Sequence, residues 1–169
     1  MKVLETERLI LRQITTDDAE FIFTLMNEPS YLRFIGDKGI KTIRDAREYI
    51  QNGPVDSYEQ FGYGLYLTEL KNNGESIGIC GLVNRETIEG VDIGFAFLPK
   101  YWSNGYAYES AKAVVAYGKN ILGLKHIVAI TADDNQSSIR LIEKIGLRFE
   151  KMVSLSADEP DVKLFSRAL

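Results

Sequence analysis

The residue types and spacings that could do chemistry concentrate between Val91 and Ile121. Val91 to Leu98 is β-branched and aromatic, and Pro99 ends it by withholding a backbone donor. Ser103-Asn104-Gly105 has the residue types of turns and helix starts, and from Ala107 the apolar positions Ala107, Ala111, Val114, Gly118 and Ile121 recur at three- and four-residue steps. The spacing predicts a strand, a glycine-bearing loop and a helix. The first N–H groups of a helix lack intrahelical partners and carry partial positive charge, so a loop without bulky side chains there could cradle a phosphate. A glycine before a helix also serves plain turns, and the loop alone leaves both readings open. The stretch contains neither G-x-x-x-x-G-K-[ST] nor G-x-G-x-x-G, which excludes a P-loop and a dinucleotide fingerprint.

Three further side chains invite a chemical reading. Cys80 lies in an apolar segment with no helix start or histidine nearby to lower its pKa, so core packing is expected. His126, the single histidine, stands at a strand entrance beside Lys125 without a second ligand at metal-type spacing, which predicts a strand-end residue and no metal site. Glu109 is the first carboxylate after the loop. Its place early in a helix suggests that it complements the dipole or pairs with Lys112, and a role as proton acceptor is the alternative.

These groups must be held by a scaffold, and the composition bounds it. A chain of 169 residues with 45% hydrophobic content suggests one domain, 1–169, without linker or repeat. Such a length buries about 68–70% of the unfolded surface. A net charge of −4 argues against nucleic-acid binding and mildly favours a cationic partner. The first residues break their apolar run with Glu5, Glu7 and Arg8, so no signal-peptide core is expected, and no apolar run approaches the ~20 residues of a membrane span. One cysteine permits no internal disulfide and fits a reducing cytoplasm. The expectation is a cytoplasmic monomer or homodimer without membrane contact.

In chain order, Arg8 to Ile14 reads as a strand. Thr15 or Thr16 then caps a helix with Asp17, Asp18 and Glu20 in its first turn, Ala19, Ile22, Phe23 and Met26 as its stripe, and Pro29 as its stop. Tyr31 to Gly36 reads as an aromatic connection that packs under the helices, with substrate contact kept open. Thr42 caps a second helix with Ile43, Ala46 and Ile50 inward, closed at Gly53-Pro54. Gly62 to Leu70 and Ser76 to Val83 form a hairpin about Asn72-Asn73-Gly74, and a turn near Glu89-Gly90 leads into the Val91 strand. The glycines in these strands suggest bulges or close backbone approach. After the central helix, with Gly123 as its stop, come a strand His126 to Thr131, a helix carrying Ile139, Ile142 and Glu143 up to Gly146, and strands Phe149 to Leu155 and Val162 to Ala168.

Trp102-Ser103-Asn104-Gly105-Tyr106-Ala107 resembles motif A of the GNAT N-acetyltransferases, [QR]-x-x-G-x-[GA]. The wider form P-x-Y-W-x-x-G-Y-A-x-E, Pro99 to Glu109 here, resembles the RimJ/RimL branch, which has Trp where other branches have Gln or Arg. Asn135-x-x-Ser138-x-x-Leu141-x-Glu143-Lys144-x-Gly146-Leu147 is similar to the family's N-x-x-S/A-x-x-L-Y-E-K-x-G-F, with Ile142 at the Tyr position and Leu147 at Phe. The order of elements resembles the GNAT order over almost the whole chain. The resemblance implies an α+β fold with a central mixed, mostly antiparallel sheet flanked by about four helices. It implies acetyl-CoA as co-substrate and no metal. The pantetheine arm would pair with Phe95, Ala96 and Phe97, the pyrophosphate would lie on the N–H groups of Ser103, Asn104, Gly105, Tyr106, Ala107 and Tyr108, and the Asn135 side chain would contact the arm. In many relatives the Tyr protonates the departing thiolate; Ile142 has no proton to give, and the resemblance offers Ser138 as the acid. The other reading of Ser138 is a helix-start hydrogen bond. The family's basic Glu near the penultimate strand falls at Ala157, beside Asp158 and Glu159, so the base stays unassigned.

Acyl transfer from a thioester to an amine needs a neutral amine, a polarised carbonyl and a stabilised thiolate. By resemblance the chain transfers acetyl groups to a primary amine, on a small molecule such as a polyamine or antibiotic or on a protein N-terminus, by direct attack in a ternary complex. The missing Tyr and unassigned base motivate a second class, a catalytically weakened acyl-CoA-binding module with a sensing or interaction role. The acceptor pocket is expected from the connections 29–41, 53–62 and 157–161.

Overall fold

Side chains alternate across a strand, so a sheet with apolar residues on both faces must be covered twice. The computed structural model describes residues 1–169 and shows one such sheet of eight strands in the order β1-β2-β3-β4-β5-β6-β8-β7. These are β1 (Lys2–Glu5), β2 (Leu9–Gln13), β3 (Leu65–Leu70), β4 (Ser76–Asn84), β5 (Val91–Phe97), β6 (His126–Thr131), β7 (Arg148–Val153) and β8 (Val162–Ala168). Every neighbouring pair is antiparallel except β5 and β6. The helices are α1 (Ala19–Met26), α2 (Pro29–Phe34), α3 (Ile43–Ile50), α4 (Asp56–Phe61), α5 (Tyr106–Asn120) and α6 (Gln136–Lys144).

One face of the sheet, carrying Leu11, Tyr66, Cys80, Leu82, Ile93 and Ile127, packs with Ala111 and Val114 of α5 and Ile139 and Ile142 of α6. The other, carrying Leu67 and Ile79, packs with Ile22 and Met26 of α1 and Ala46 and Ile50 of α3. Each of the Val, Leu, Ile and Met side chains among them contributes about 1.5–3 kcal/mol on full burial. Cys80 is wholly buried in the first layer, and burial pushes its thiol up to about 12, as its packing role requires. His126 is exposed at the start of β6, also as expected.

The helical side differs from expectation in three places. Gly53-Pro54 does not close α3. Pro54 has no N–H for the helical ladder, so the chain widens into a π turn over Gln51–Val55 and continues as α4, which ends at Gly62 with φ 81°. The Tyr58 hydroxyl secures α4 by accepting from the Ile14 N–H at 2.9 Å and donating to the Leu65 carbonyl, and its ring stacks on Tyr66 at 5.6 Å. The Tyr31 connection is helical, because Pro29 both stops α1 and preorganises the first turn of α2. Tyr31 packs inward as expected, while Leu32 and Ile35 are exposed. In α5 the inward stripe ends at Gly118, and Ile121 is 71% exposed.

Close approach explains the strand glycines. A Cβ on Gly81 would lie 2.2 Å from the Gly64 carbonyl oxygen, and one on Gly78 would lie 2.4 Å from the Phe97 ring.

Glu109 fastens the corner between β1 and β2 to the first turn of α5. Its carboxylate accepts from the Thr6 hydroxyl at 2.5 Å, the Arg8 N–H at 3.0 Å and the Arg8 Nε at 2.7 Å. Its partner is thus Arg8 and not Lys112, which lies near the Tyr108 ring. Burial works against the charge, but the bonds from Thr6 and Arg8 outweigh it and hold the carboxyl below the usual range. A depressed folded-state pKa gives stability that is present above the unfolded value and is lost as pH falls through the folded one. Lowering pH from about 5 to about 3 is therefore expected to reduce the melting temperature of the native protein more steeply than that of Glu109→Gln. Parallel acid limbs in the two melting series would remove Glu109 from this role.

Candidate active site

The ladder between β5 and β6 contains only Val91↔Ile127 and Asp92↔Val128, whereas β5 stays paired with β4 from Val91 to Phe97. Beyond Asp92 the β6-facing edge of β5 is open. Leu98 N–H donates to Ile77 O on the β4 side at 3.0 Å, so strand alternation turns the N–H and C=O of Phe95 and Phe97 towards the opening. The Trp102 indole N–H takes the Phe97 carbonyl at 2.9 Å and ties the following loop to the strand. An extended ligand with amide groups, such as a pantetheine arm, fits the remaining edge.

The loop satisfies its carbonyls and leaves its donors free. Leu98 O and Pro99 O accept from the N–H groups of Tyr101 and Trp102, while Asn104 Nδ2 donates to Tyr101 O at 3.2 Å and Trp102 O at 3.0 Å. Ser103 and Gly105 both adopt left-handed backbone, φ 64° and 79°. Gly105 is the N-cap of α5 and provides no side-chain cap, and the first intrahelical donor is Glu109 N–H to Gly105 O at 3.0 Å. The six N–H groups from Ser103 to Tyr108 therefore have no protein acceptor. Fifteen residues of aligned peptide dipoles stand behind them. Arg8 adds a fixed cation at the rim: its Cζ lies 4.4 Å from the Tyr106 ring centroid, and its terminal nitrogen is 3.4 Å from where a Gly105 Cβ would stand.

On the far side of the opening, Asn135 caps α6 by accepting the Ser138 N–H at 3.3 Å. The cap is thus the Asn135 side chain, and the half-buried Ser138 hydroxyl makes no protein hydrogen bond. Asn135 keeps its amide nitrogen free for a ligand.

Of the three connections expected around the acceptor, 29–41 and 53–62 line cavities over the face of the sheet opposite α5, and no residue of 157–161 lines them. A cavity of about 290 Å³ is lined by Tyr49, Asn52, Ser57, Phe61, Leu65 and Val83, and a neighbour of about 340 Å³ shares Tyr49 and Asn52 and reaches Lys38. Glu159 is near enough for its charge to act on Lys38. Directly opposite Val83 in the ladder, and so on the same face, stands Asp92, the last β5 residue paired with β6. It is 1% exposed, accepts from Arg85 Nε at 2.7 Å through Oδ2, and has no partner for Oδ1. Burial raises its pKa to about 6, against the pull of Arg85 and the Ile130 backbone. Sequence reasoning missed Asp92 although a signal existed, a single acid between Val91 and Ile93 in an otherwise apolar strand.

Residues 8–148 match the acetyltransferase (GNAT) domain family. YoaA, an N-acetyltransferase of Bacillus subtilis, is 36% identical over 150 residues, covering 88% of this chain and 84% of that protein. Among solved structures, a GNAT-family acetyltransferase from Bacillus anthracis superposes with a TM-score of 0.81 at 25% identity, over 99% of this chain and 98% of its own. RimL, the ribosomal L7/L12 α-N-protein acetyltransferase in complex with coenzyme A, shares the fold at a TM-score of 0.79 and 18% identity, over 100% and 98% of the two chains. The chain belongs to the GNAT family and is an acetyltransferase.

Gly105→Val is expected to weaken CoA binding by roughly tenfold or more, ~1.4 kcal/mol, because the left-handed conformation and the space over the cradle both exclude a side chain. Titration calorimetry on the folded variant checks this, and unchanged affinity would take the loop out of the cofactor site. Asn135→Ala should lose about 1 kcal/mol of stability with its cap, whereas Ser138→Ala should melt like the native protein. If Ser138 is the acid, its alanine variant lowers kcat by about ten- to a hundredfold in single-turnover kinetics with CoA affinity intact. Normal turnover would return Ser138 to a spectator.

Proposed function

We propose that the protein transfers the acetyl group of acetyl-CoA directly to a primary amine, of a small molecule or a protein N-terminus, within one ternary complex. The observation that carries this reading is the continuity of an open strand edge at Phe95 and Phe97 with six unpartnered N–H groups from Ser103 to Tyr108. An edge for amides next to a cradle for anionic oxygens suits a long ligand with a diphosphate at one end. The bound thioester supplies an electrophilic acetyl carbon.

The chain's own residues would then manage protons. Asp92 stands at the apex of the opening, on the acceptor side, as a carboxylate with an unused oxygen. An ammonium near pKa 10 is almost wholly charged at neutral pH, so a buried carboxylate that takes its proton, directly or through water, frees the attacking lone pair. The N–C bond forms, the C–S bond breaks, the nitrogen gives up its remaining proton to solvent, and the sulfur takes one from solvent or from Ser138, which solvent then reprotonates. A thiol of pKa near 8.5 leaves adequately by either route.

Thiol release from acetyl-CoA across a panel of amines tests the reading. Absence of release with every amine, beside intact CoA binding, would indicate an acyl-CoA-binding module instead. For Asp92, kcat/KM should rise with pH through an acid limb near the group's pKa of about 6, and Asp92→Asn should lose that limb together with about a hundredfold or more of activity. A variant that retains both rate and limb would clear Asp92 of proton transfer.

A further inference from the structure

The ion pair Arg85–Asp92, on the face of the sheet opposite α5, has an unused half of each sign. Arg85 gives its Nε–H to Asp92 Oδ2 at 2.7 Å, and no protein acceptor takes the N–H groups of its two terminal nitrogens. Asp92 Oδ1 is buried and accepts no hydrogen bond of normal geometry, although the Ile130 backbone N–H also acts on the carboxylate. The free end of a guanidinium is a planar fork that matches a carboxylate, and a carboxylate oxygen in a low-dielectric site matches an amine N–H. A single pair of a part-exposed arginine and a buried carboxylate can therefore hold a ligand that carries both groups.

The surroundings extend the same pattern. Val83, across the ladder from Asp92, lines the cavity of about 290 Å³ together with Tyr49 and Asn84. Lys38 lines the adjoining cavity, which shares Tyr49. Its ammonium makes no protein hydrogen bond, and neither does the hydroxyl of Tyr49 or of Tyr31. Partial burial, and after it repulsion from Arg85, lower the pKa of Lys38, while Glu159 acts in the opposite sense. Two cations share this region with a carboxylate already engaged by one of them.

We propose that the acceptor is an amino-acid-like zwitterion, whose amine meets Asp92 Oδ1 and whose carboxylate meets the free fork of Arg85 and the ammonium of Lys38. This rests on the acetyl-transfer reading and narrows its acceptor. A polyamine would bring a second ammonium against Lys38 and Arg85. A protein N-terminus would place a neutral peptide carbonyl where the fork needs an anion. In the reaction the ammonium gives one proton to Asp92, which passes it to solvent; the neutral nitrogen bonds to the acetyl carbon, the C–S bond gives its electrons to sulfur, and the second nitrogen proton balances the one that the thiolate takes up, so the products are an N-acetylamino acid and the CoA thiol.

The test measures thiol release at saturating acetyl-CoA with the common α-amino acids, their carboxamides, their decarboxylated amines and spermidine. At least one amino acid should exceed its own carboxamide and decarboxylated amine in kcat/KM by about thirtyfold or more, the scale of a lost charge-assisted contact. Lys38→Met should bring that ratio towards one, and so should Arg85→Lys, which keeps a charge for Asp92 but loses the fork. Lys38 lies at the cavity rim, so its variant decides the matter even if Arg85→Lys fails to fold. Turnover that is equal or faster with carboxamides, simple amines or spermidine overturns the zwitterion while leaving acetyl transfer standing. No release with any member of the panel, with CoA still bound, overturns the acetyl-transfer reading and this inference together.

Discussion

The structure depends on a pairing that stops early. β5 and β6 are the sole parallel neighbours in the sheet, and they part after Asp92↔Val128 while each remains fully paired on its outer side, β5 with β4 and β6 with β8. Parallel neighbours need a crossover, and here it is the loop after Phe97 followed by α5. A helix in such a crossover begins near the carboxyl end of the strand it leaves, so the N-terminus of α5 stands at the same end of β5 as the open edge. One topological step thus sets unpaired backbone amides and a positive helix end in line.

Holding that gap open leaves polar groups unsatisfied, and the chain limits the number. Trp102 takes the Phe97 carbonyl, Asn104 takes two loop carbonyls, and Asn135 covers one donor of α6. What remains free in the loop is of one kind, backbone N–H from Ser103 to Tyr108. Glu109 sits one residue further on and could have neutralised this field, but its carboxylate faces Thr6 and Arg8. The arrangement fastens the β1–β2 corner and aims the outer part of the Arg8 guanidinium at the loop rim.

Much of this was legible in the chain, for identifiable reasons. Strand β6 and the β3–β4 hairpin followed from alternation and from Asn72-Asn73-Gly74, both local signals. Thr42 was readable as a cap, and it forms a capping box with Asp45. The run through Gly53-Pro54 was not readable, since its continuation depends on Tyr58 reaching Ile14 and Leu65, contacts distant in sequence. Strand β1 is short and only half-buried at the sheet edge, with no periodicity to reveal it. Glu109 does lie in the first turn of α5, but its pairing with Lys112 failed for a similar reason: Lys112 is its neighbour along the helix, and Arg8 is its neighbour in space. The loop's residues were identifiable because a motif fixes them, whereas the openness of β5 belongs to the sheet and appears only with β6 in place.

Asp92 shows where the fold accepts a cost. Raising a carboxyl to about 6 means that the folded protein near neutral pH carries a charge that the unfolded chain would carry at less cost, a penalty on the order of 3 kcal/mol. The sign follows from the direction of the shift: the cost is absent below the unfolded pKa of 3.8, grows as pH rises, and is complete above the folded one. A wholly apolar side chain there would pack against Val128 and Val83 without that cost and without an orphaned Oδ1. Neighbouring positions on the same face, Gly94 and Ala96, are small and uncharged, so nothing in the packing calls for an acid. An expensive group at the apex of the opening, half satisfied by an arginine that is itself half used, is what local rules forbid in a core and what a site for a polar reactant requires.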